Sequence, residues 1–191
     1  MVRVMVVDES EERAALLKHA LARRGHEVIA HTANTLDLHR RIEQLQPDVI
    51  IIDTESPDRD TLEHLCLVNR ELPRPIVIFT RDGDRDKMRE AVRAGVSAYV
   101  VDGLAPERIT PIIDVAIEHF NSYQALKEEL REANARLAER KVIERAKGIL
   151  MKARKLSEDD AYRALRQMAM ARNLRIAALA EQVVSAAELL V

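Results

Sequence analysis

Thiol chemistry is nearly absent from this sequence. Its one cysteine, Cys66, has no partner for an intramolecular disulfide, and a cysteine-based zinc site is excluded on the same ground. Flanked by Leu65, Leu67 and Val68, it is expected to be a small buried hydrophobe rather than a nucleophile. The six histidines (His19, His26, His31, His39, His64, His119) lack the paired helical spacing of a metal site and are expected in surface or packing roles. Tryptophan is missing, and residues 141–191 hold one aromatic, Tyr162, which argues against an extended stacking platform for single-stranded nucleic acid. No apolar run approaches membrane-spanning length, and Met1-Val2-Arg3-Val4 enters a strand-like run with no signal-peptide layout. A cytoplasmic protein with no membrane partner is expected. With 47% hydrophobic and 32% charged residues, the chain has the composition of folded rather than disordered proteins, and its 191 residues suit one ordinary core plus an accessory piece.

The first hundred or so residues alternate short apolar runs with charged helical stretches. Val2 to Val7, Val28 to Ala30, Val49 to Ile52, Ile76 to Phe79 and Tyr99 to Val101 are the candidate strands, and their spacing is that of parallel βαβ units. Gly25 and Gly95 stand where helices should stop, and Pro47 and Pro75 precede strands. In such sheets, functional groups collect at the carboxyl ends of strands. Asp8 and Glu9 follow the first strand here, Asp53 the third and Thr80 the fourth. Three converging carboxylates repel one another unless a hard divalent cation sits among them, which makes Mg²⁺ the natural occupant.

Residues 1–118 resemble a response-regulator receiver domain of flavodoxin-like fold. Asp8 and Glu9 match the acidic pair, Asp53 the phosphoacceptor, Pro57 the proline of the following loop and Thr80 the switch hydroxyl. Two positions depart from the resemblance. Receivers normally place a lysine at the end of the fifth strand, whereas Tyr99-Val100-Val101 leads here into Asp102. Arg81 stands after the switch threonine, where a small residue is usual, and would either block the pocket or supply it a charge. Thr80, Arg81, Tyr99 and Asp102 are thus the candidate switch residues. Phosphorylation at Asp53, a pseudo-receiver that docks a protein, and a purely structural acidic pocket all remain open.

From Glu118 to Arg140 there is neither glycine nor proline, and Tyr123, Leu126, Leu130, Ala133 and Leu137 recur at three- and four-residue steps. That is the a/d spacing of a coiled coil, with Lys127, Glu128, Glu129, Arg131, Glu132, Arg136 and Glu139 as mixed-charge flanks. The stripe of Tyr123, Leu126, Leu130 and Leu137 would either make a homodimer or pack back on the receiver. Pro111 lies inside the preceding helical pattern, and Pro106 suits a first helical turn.

Charge divides the chain. Residues 141–191 hold ten basic and six acidic side chains, against twenty and twenty-six in residues 1–140. Between Arg140 and Lys155 seven basic residues face one acidic residue, Glu144, a local field of the kind that binds polyanions. Ser157 ahead of Glu158, Asp159 and Asp160 predicts a capped helix start, and Asn173 a helix stop. Two apolar faces follow, Ala161/Ala164/Leu165/Met168/Ala169 and Ile176/Leu179/Ala180/Val183/Val184/Ala187.

Ala146-Lys147-Gly148, Leu150-Met151, Asp160 to Arg166, Ala169-Met170, Asn173-Leu174 and Ala180-Glu181 resemble the ANTAR module of antitermination regulators. The resemblance implies a three-helix domain that binds paired hairpins in a nascent leader transcript. Arg145, Lys147, Gly148, Arg154, Tyr162, Arg163 and Arg166 are the candidate RNA contacts. Lys147 is expected on the basic face, and Gly148 either admits a close backbone approach or lets helices pack closely. The stretch Ala94 to Leu104 most resembles the nitrate/nitrite-assimilation branch, where the resemblance implies sequestration by a nitrate-sensing partner.

The whole reads as an α/β flavodoxin-like receiver domain with a parallel five-stranded sheet (1–118), a helical coiled-coil linker (119–140) and an all-α three-helix RNA-binding domain (141–191). It is expected to be a regulator rather than a metabolic enzyme. A phosphorylation-controlled DNA reader with a helix-turn-helix tail, and an adaptor that only relays phosphoryl groups or sequesters a protein, remain as alternatives.

Overall fold

The computed structural model describes residues 1–35, 37–101 and 106–188, with backbone alone for 106 and 107. Asp102, Gly103 and Leu104, among them the position of the missing lysine, lie outside the described residues. The chain divides into two compact units, 1–124 and 125–191.

The first unit is built on β1 (Arg3–Asp8), β2 (Glu27–Thr32), β3 (Val49–Asp53), β4 (Ile76–Thr80) and β5 (Ala98–Val101), all parallel, in the order β2-β1-β3-β4-β5. This is the flavodoxin-like order, in which the switch point opens a crevice beyond the carboxyl ends of β1 and β3. The central strands read as unbroken apolar runs because both faces are covered. Met5, Val7, Ile50, Ile52, Ile76 and Ile78 pack on one side with residues of α2 (Leu38–Leu45), α3 (Arg59–Glu71) and α4 (Arg85–Arg93). Val4, Val6, Val49, Ile51, Val77 and Phe79 pack on the other with α1 (Glu11–Ala22) and the start of α5 (Pro106–Arg154). Each fully buried Ile or Val contributes roughly 1.5–3 kcal/mol of transfer free energy.

Gly95 ends α4 with φ +94°, and the Val96 N–H returns to the Ala91 carbonyl at 3.0 Å, closing a Schellman turn. A side chain at Gly95 would also collide with Asn69. The expectation for Cys66 is overturned. Helix α3 buries Leu62, Leu65 and Val68, so the helical period turns Cys66 and Leu67 outward, and the cysteine is exposed.

Helix α5 is one continuous 49-residue element that runs through Pro111 and through both expected boundaries, 118 and 140. In the second unit its last turns join α6 (Glu158–Ala171) and α7 (Ile176–Glu188) around Ala146, Leu150, Ala161, Leu165, Ala169, Leu179, Ala180 and Val184. Ser157 caps α6 as its sequence predicts, its Oγ accepting the Asp160 N–H at 3.2 Å. Asn173 takes the left-handed conformation (φ +53°), and the Leu174 N–H bonds the Ala169 carbonyl at 2.9 Å. No helix among the described residues is long and apolar enough to cross a membrane.

Candidate functional site

Parallel pairing sets Asp8 of β1 beside Asp53 of β3, and the two carboxylates open into a cleft also lined by Glu9, Arg13, Glu55 and His64. Asp8 is 1% exposed and Asp53 half-buried, whereas Glu9 stands exposed at the rim. Burial raises the Asp53 carboxyl above its ordinary range, the Asp8 charge adds to the rise, and Arg13 opposes it. His31 holds the end of β1, its Nε2 donating to the Asp8 carbonyl at 2.9 Å.

The residue that sequence reasoning missed is Arg13. Its Nη2 donates to Asp8 Oδ1 at 2.9 Å, and its Nε lies 3.3 and 3.4 Å from the two Asp8 oxygens and 3.5 Å from Asp53 Oδ2. The local sequence explains the geometry. Ser10 is the N-cap of α1 and accepts the Arg13 N–H at 3.3 Å, so Arg13 sits in the first turn, where helical side chains lean back toward the N-terminus and the end of β1. A cation there opposes the helix dipole and needs a local anion to offset it. That placement, five residues after a strand-end aspartate, was the available signal.

The switch residues do not all converge on this cleft. Thr80 is 1% exposed and is not among the residues lining it. Its hydroxyl donates to the Glu55 carbonyl at 2.8 Å and accepts the Asp82 N–H at 3.1 Å, tying the β3–α3 loop to the β4–α4 loop. Lys87 strengthens that tie, with Nζ at 2.7 Å from Asp82 Oδ2 and 2.6 Å from Ser56 Oγ. Lys87 and then Ser56 hold the Asp82 carboxyl well below the usual carboxylate range. The Tyr99 hydroxyl donates to the Asp82 carbonyl at 3.0 Å, and burial of the ring raises its pKa. Arg81 is exposed, and its pull on Asp53 is weaker than that of Arg13. Of the two roles open to Arg81, blocking the pocket or supplying it a charge, only a weak charge contribution is seen, and the cation in contact with Asp53 is Arg13.

In the helical unit, Lys147 corrects a second expectation. It is 7% exposed rather than on an open basic face, because Ala146 and Leu150 beside it are core residues and its stem is buried with them. Its Nζ lies between Glu158 Oε1 at 2.7 Å and Glu144 Oε2 at 2.9 Å, and the hydrogen bond to Glu158, then that to Glu144, raises its pKa. Gly148 is helical, and a Cβ there would meet nothing within 4 Å, so close helix packing does not explain it. Arg145 pairs with Glu188 at 2.8 Å. Arg154 and Arg166 are exposed and make no ion pair among the described residues. Arg163 makes only a long 3.6 Å contact to Asp160. Tyr162, Arg166 and Met170, at four-residue steps, form one exposed row on α6, with Arg163 beside it.

The response regulator receiver domain family matches residues 4–114, and the ANTAR domain family matches residues 131–184. The chain belongs to the response regulator receiver family and carries an ANTAR domain behind the receiver. It is similar to the transcriptional regulatory protein PdtaR of Mycobacterium tuberculosis, 29% identical over 181 residues that span 95% of this chain and 88% of that protein. The chemotaxis protein CheY of Thermotoga maritima is 22% identical over 113 residues, 59% of this chain and 94% of that one. Among solved structures, the signal receiver domain of a modulated diguanylate cyclase from Desulfovibrio desulfuricans G20 superposes with a TM-score of 0.56 at 22% identity. It covers 64% of this chain and 98% of that one, a likeness of fold alone. The protein is thus an ANTAR receiver-domain regulator like PdtaR, and neither matching family describes an enzyme.

Proposed function

We propose that this protein is an RNA-binding transcription antitermination regulator that grips hairpins in nascent leader RNA. The observation that carries the reading is the exposed row of Tyr162, Arg166 and Met170 with Arg163 beside it. It sets guanidinium groups, which pair with phosphates and stack on bases, next to one aromatic ring. In this reading Arg145, Arg154 and the backbone at Gly148 are further RNA contacts on α5, while Lys147 acts from inside through its ion pair with Glu158 at the start of α6. The polar residues of α7 that remain exposed, such as Glu181 and Gln182, suit base-edge readout in duplex DNA poorly. Gel shifts of one sample with hairpin RNA and with duplex DNA test this. Arg163→Ala and Arg166→Ala should each weaken hairpin binding and lower the salt slope by about one. Preference for duplex DNA would favour the helix-turn-helix reading, and binding of neither would favour an interaction-only adaptor.

The receiver regulates by docking a partner protein in this reading, so Asp53→Ala should leave RNA binding nearly intact. On the resemblance of Ala94 to Leu104 to the nitrate/nitrite-assimilation branch, that partner is an inhibitory nitrate sensor in the cytoplasm. Deleting the sensor should make antitermination constitutive, no longer dependent on nitrate, with RNA binding by the purified protein unchanged. The functional parts remain 1–118, 119–140 and 141–191, with α5 as the shared helix. Tyr123, Leu126, Leu130 and Leu137, all more than half exposed, form the seam for a second copy. Replacing the three leucines by Ala should shift the dimer toward monomer in analytical ultracentrifugation.

A further inference from the structure

The Asp8 side chain has no solvent exposure, and its oxygens already have partners. Oδ1 accepts the Ser10 N–H at 2.8 Å and Arg13 Nη2 at 2.9 Å, and Arg13 Nε lies within 3.4 Å of both oxygens. The same Nε is 3.5 Å from Asp53 Oδ2, so one guanidinium spans both carboxylates. A Mg²⁺ ion shared by these two groups needs oxygen lone pairs at about 2.0–2.1 Å in near-octahedral array. It would have to stand where the guanidinium stands, beside a second positive charge. Among the described residues no group of three acidic, histidine or cysteine side chains is arranged to hold a metal ion. As arranged here, these residues do not fit the divalent ion expected among the strand-end carboxylates.

We propose that Arg13 is the resident cation of this pocket, taking the place of a divalent metal, so that Mg²⁺ enters only when the guanidinium swings out. The Arg13 side chain is 40% exposed and thus not enclosed by the fold, while the carboxylate it covers is fully buried. The charge of the Asp8 and Asp53 carboxylates is then offset in part by a group that is always charged, that no chelator removes and that leaves no open coordination position. The inference concerns the receiver pocket and holds whether or not the second unit binds RNA.

Isothermal titration of metal-stripped full-length protein with MgCl₂ tests it, with thermal unfolding in EDTA and in millimolar Mg²⁺ as a second readout. Arg13→Ala, and Arg13→Met, which keeps an unbranched apolar stem, should bind Mg²⁺ at least about tenfold more tightly than the parent. Their Tm should rise with Mg²⁺ while that of the parent stays put. Adding Asp53→Asn to Arg13→Ala should abolish the gain, placing the ion between the two carboxylates. Equal Mg²⁺ affinity in parent and variants, or a gain that survives Asp53→Asn, would overturn the proposal. The parent alone provides an independent test by NMR: Mg²⁺ that saturates the Asp8 and Asp53 pocket without moving the Arg13 Nε–H resonance would also overturn it.

Discussion

The two units each set a cation among carboxylates, and they bury opposite partners. In the receiver the anion is inside: Asp8 has no side-chain exposure and the arginine over it is 40% exposed. In the helical unit the cation is inside: Lys147 is nearly covered, whereas Glu144 and Glu158 are more than half exposed. Removing one member of an ion pair costs stability chiefly when it strands the other away from water. On ion pairing alone, the loss that matters most should therefore be that of the exposed members in each unit, Arg13 in the first and Glu144 with Glu158 in the second. The chemistry differs as well, because Lys147 carries an apolar stem that belongs to the core while Asp8 contributes little beyond its charge.

The largest expected effect breaks the receiver pair. Without divalent cations, Arg13→Ala leaves the buried Asp8 carboxylate beside Asp53 with only the Ser10 N–H at hand. It should cost about 2 kcal/mol, below the roughly 3–5 kcal/mol typical of fully buried pairs because the guanidinium is partly in water. Urea unfolding with hydrogen exchange at β1 and β3 amides would measure it. An undiminished midpoint would mean that Asp8 is not held by Arg13 in solution. In the helical unit, Lys147→Met keeps the stem and strands only two exposed glutamates, so its urea midpoint should stay close to the parent's, while Lys147→Ala should lower it clearly by emptying core volume. Equal losses in the two variants would show that the ammonium, not the stem, holds α5 to α6.

A smaller effect concerns Asp53, the less buried of the two paired carboxylates in the receiver pocket. Because burial and Asp8 raise the pKa of Asp53, the folded chain binds that proton more tightly than the unfolded chain. Its contribution favours folding below the ordinary carboxylate range and is lost as pH rises through the raised value. Asp53→Asn should therefore raise the urea midpoint at pH 7 and have little effect near about pH 3, where both forms are neutral. A loss at pH 7 would mean that attraction to Arg13 outweighs burial and repulsion from Asp8.

The same contrast governs what could be read from the sequence. The strands were legible because a parallel sheet covered on both faces demands runs such as Ile50-Ile51-Ile52, and the α6 start was legible because Ser157 and three carboxylates form a local signal. The Asp8 and Asp53 pair was legible from strand ends alone. Burial of a charge was not. Arg13 stands behind Glu9, Glu11 and Glu12 and reads as a solvated ion, and Lys147 reads as one of seven basic residues, since the contacts that distinguish them come from other elements. Cys66 was misplaced for a simpler reason: apolar neighbours in sequence were weighed above the helical period, which puts 62, 65 and 68 inside.

The smallest expected effect carries the comparison to Gly148, next to the buried lysine. It lies in a helix with negative φ, and a Cβ there would meet nothing within 4 Å, so the fold gains nothing from glycine at this position. Gly148→Ala should stabilise the helical unit by about 0.5–1 kcal/mol through backbone entropy alone, measured by urea unfolding. A residue that lowers stability and fills no packing need is explained if something outside the chain approaches the backbone there. The same variant should then bind hairpin RNA more weakly while Lys147→Met, altered only inside, keeps its affinity. If Gly148→Ala gains stability and loses no RNA affinity, the contact surface is confined to the exposed row on α6, and the notch at Gly148 plays no part in recognition.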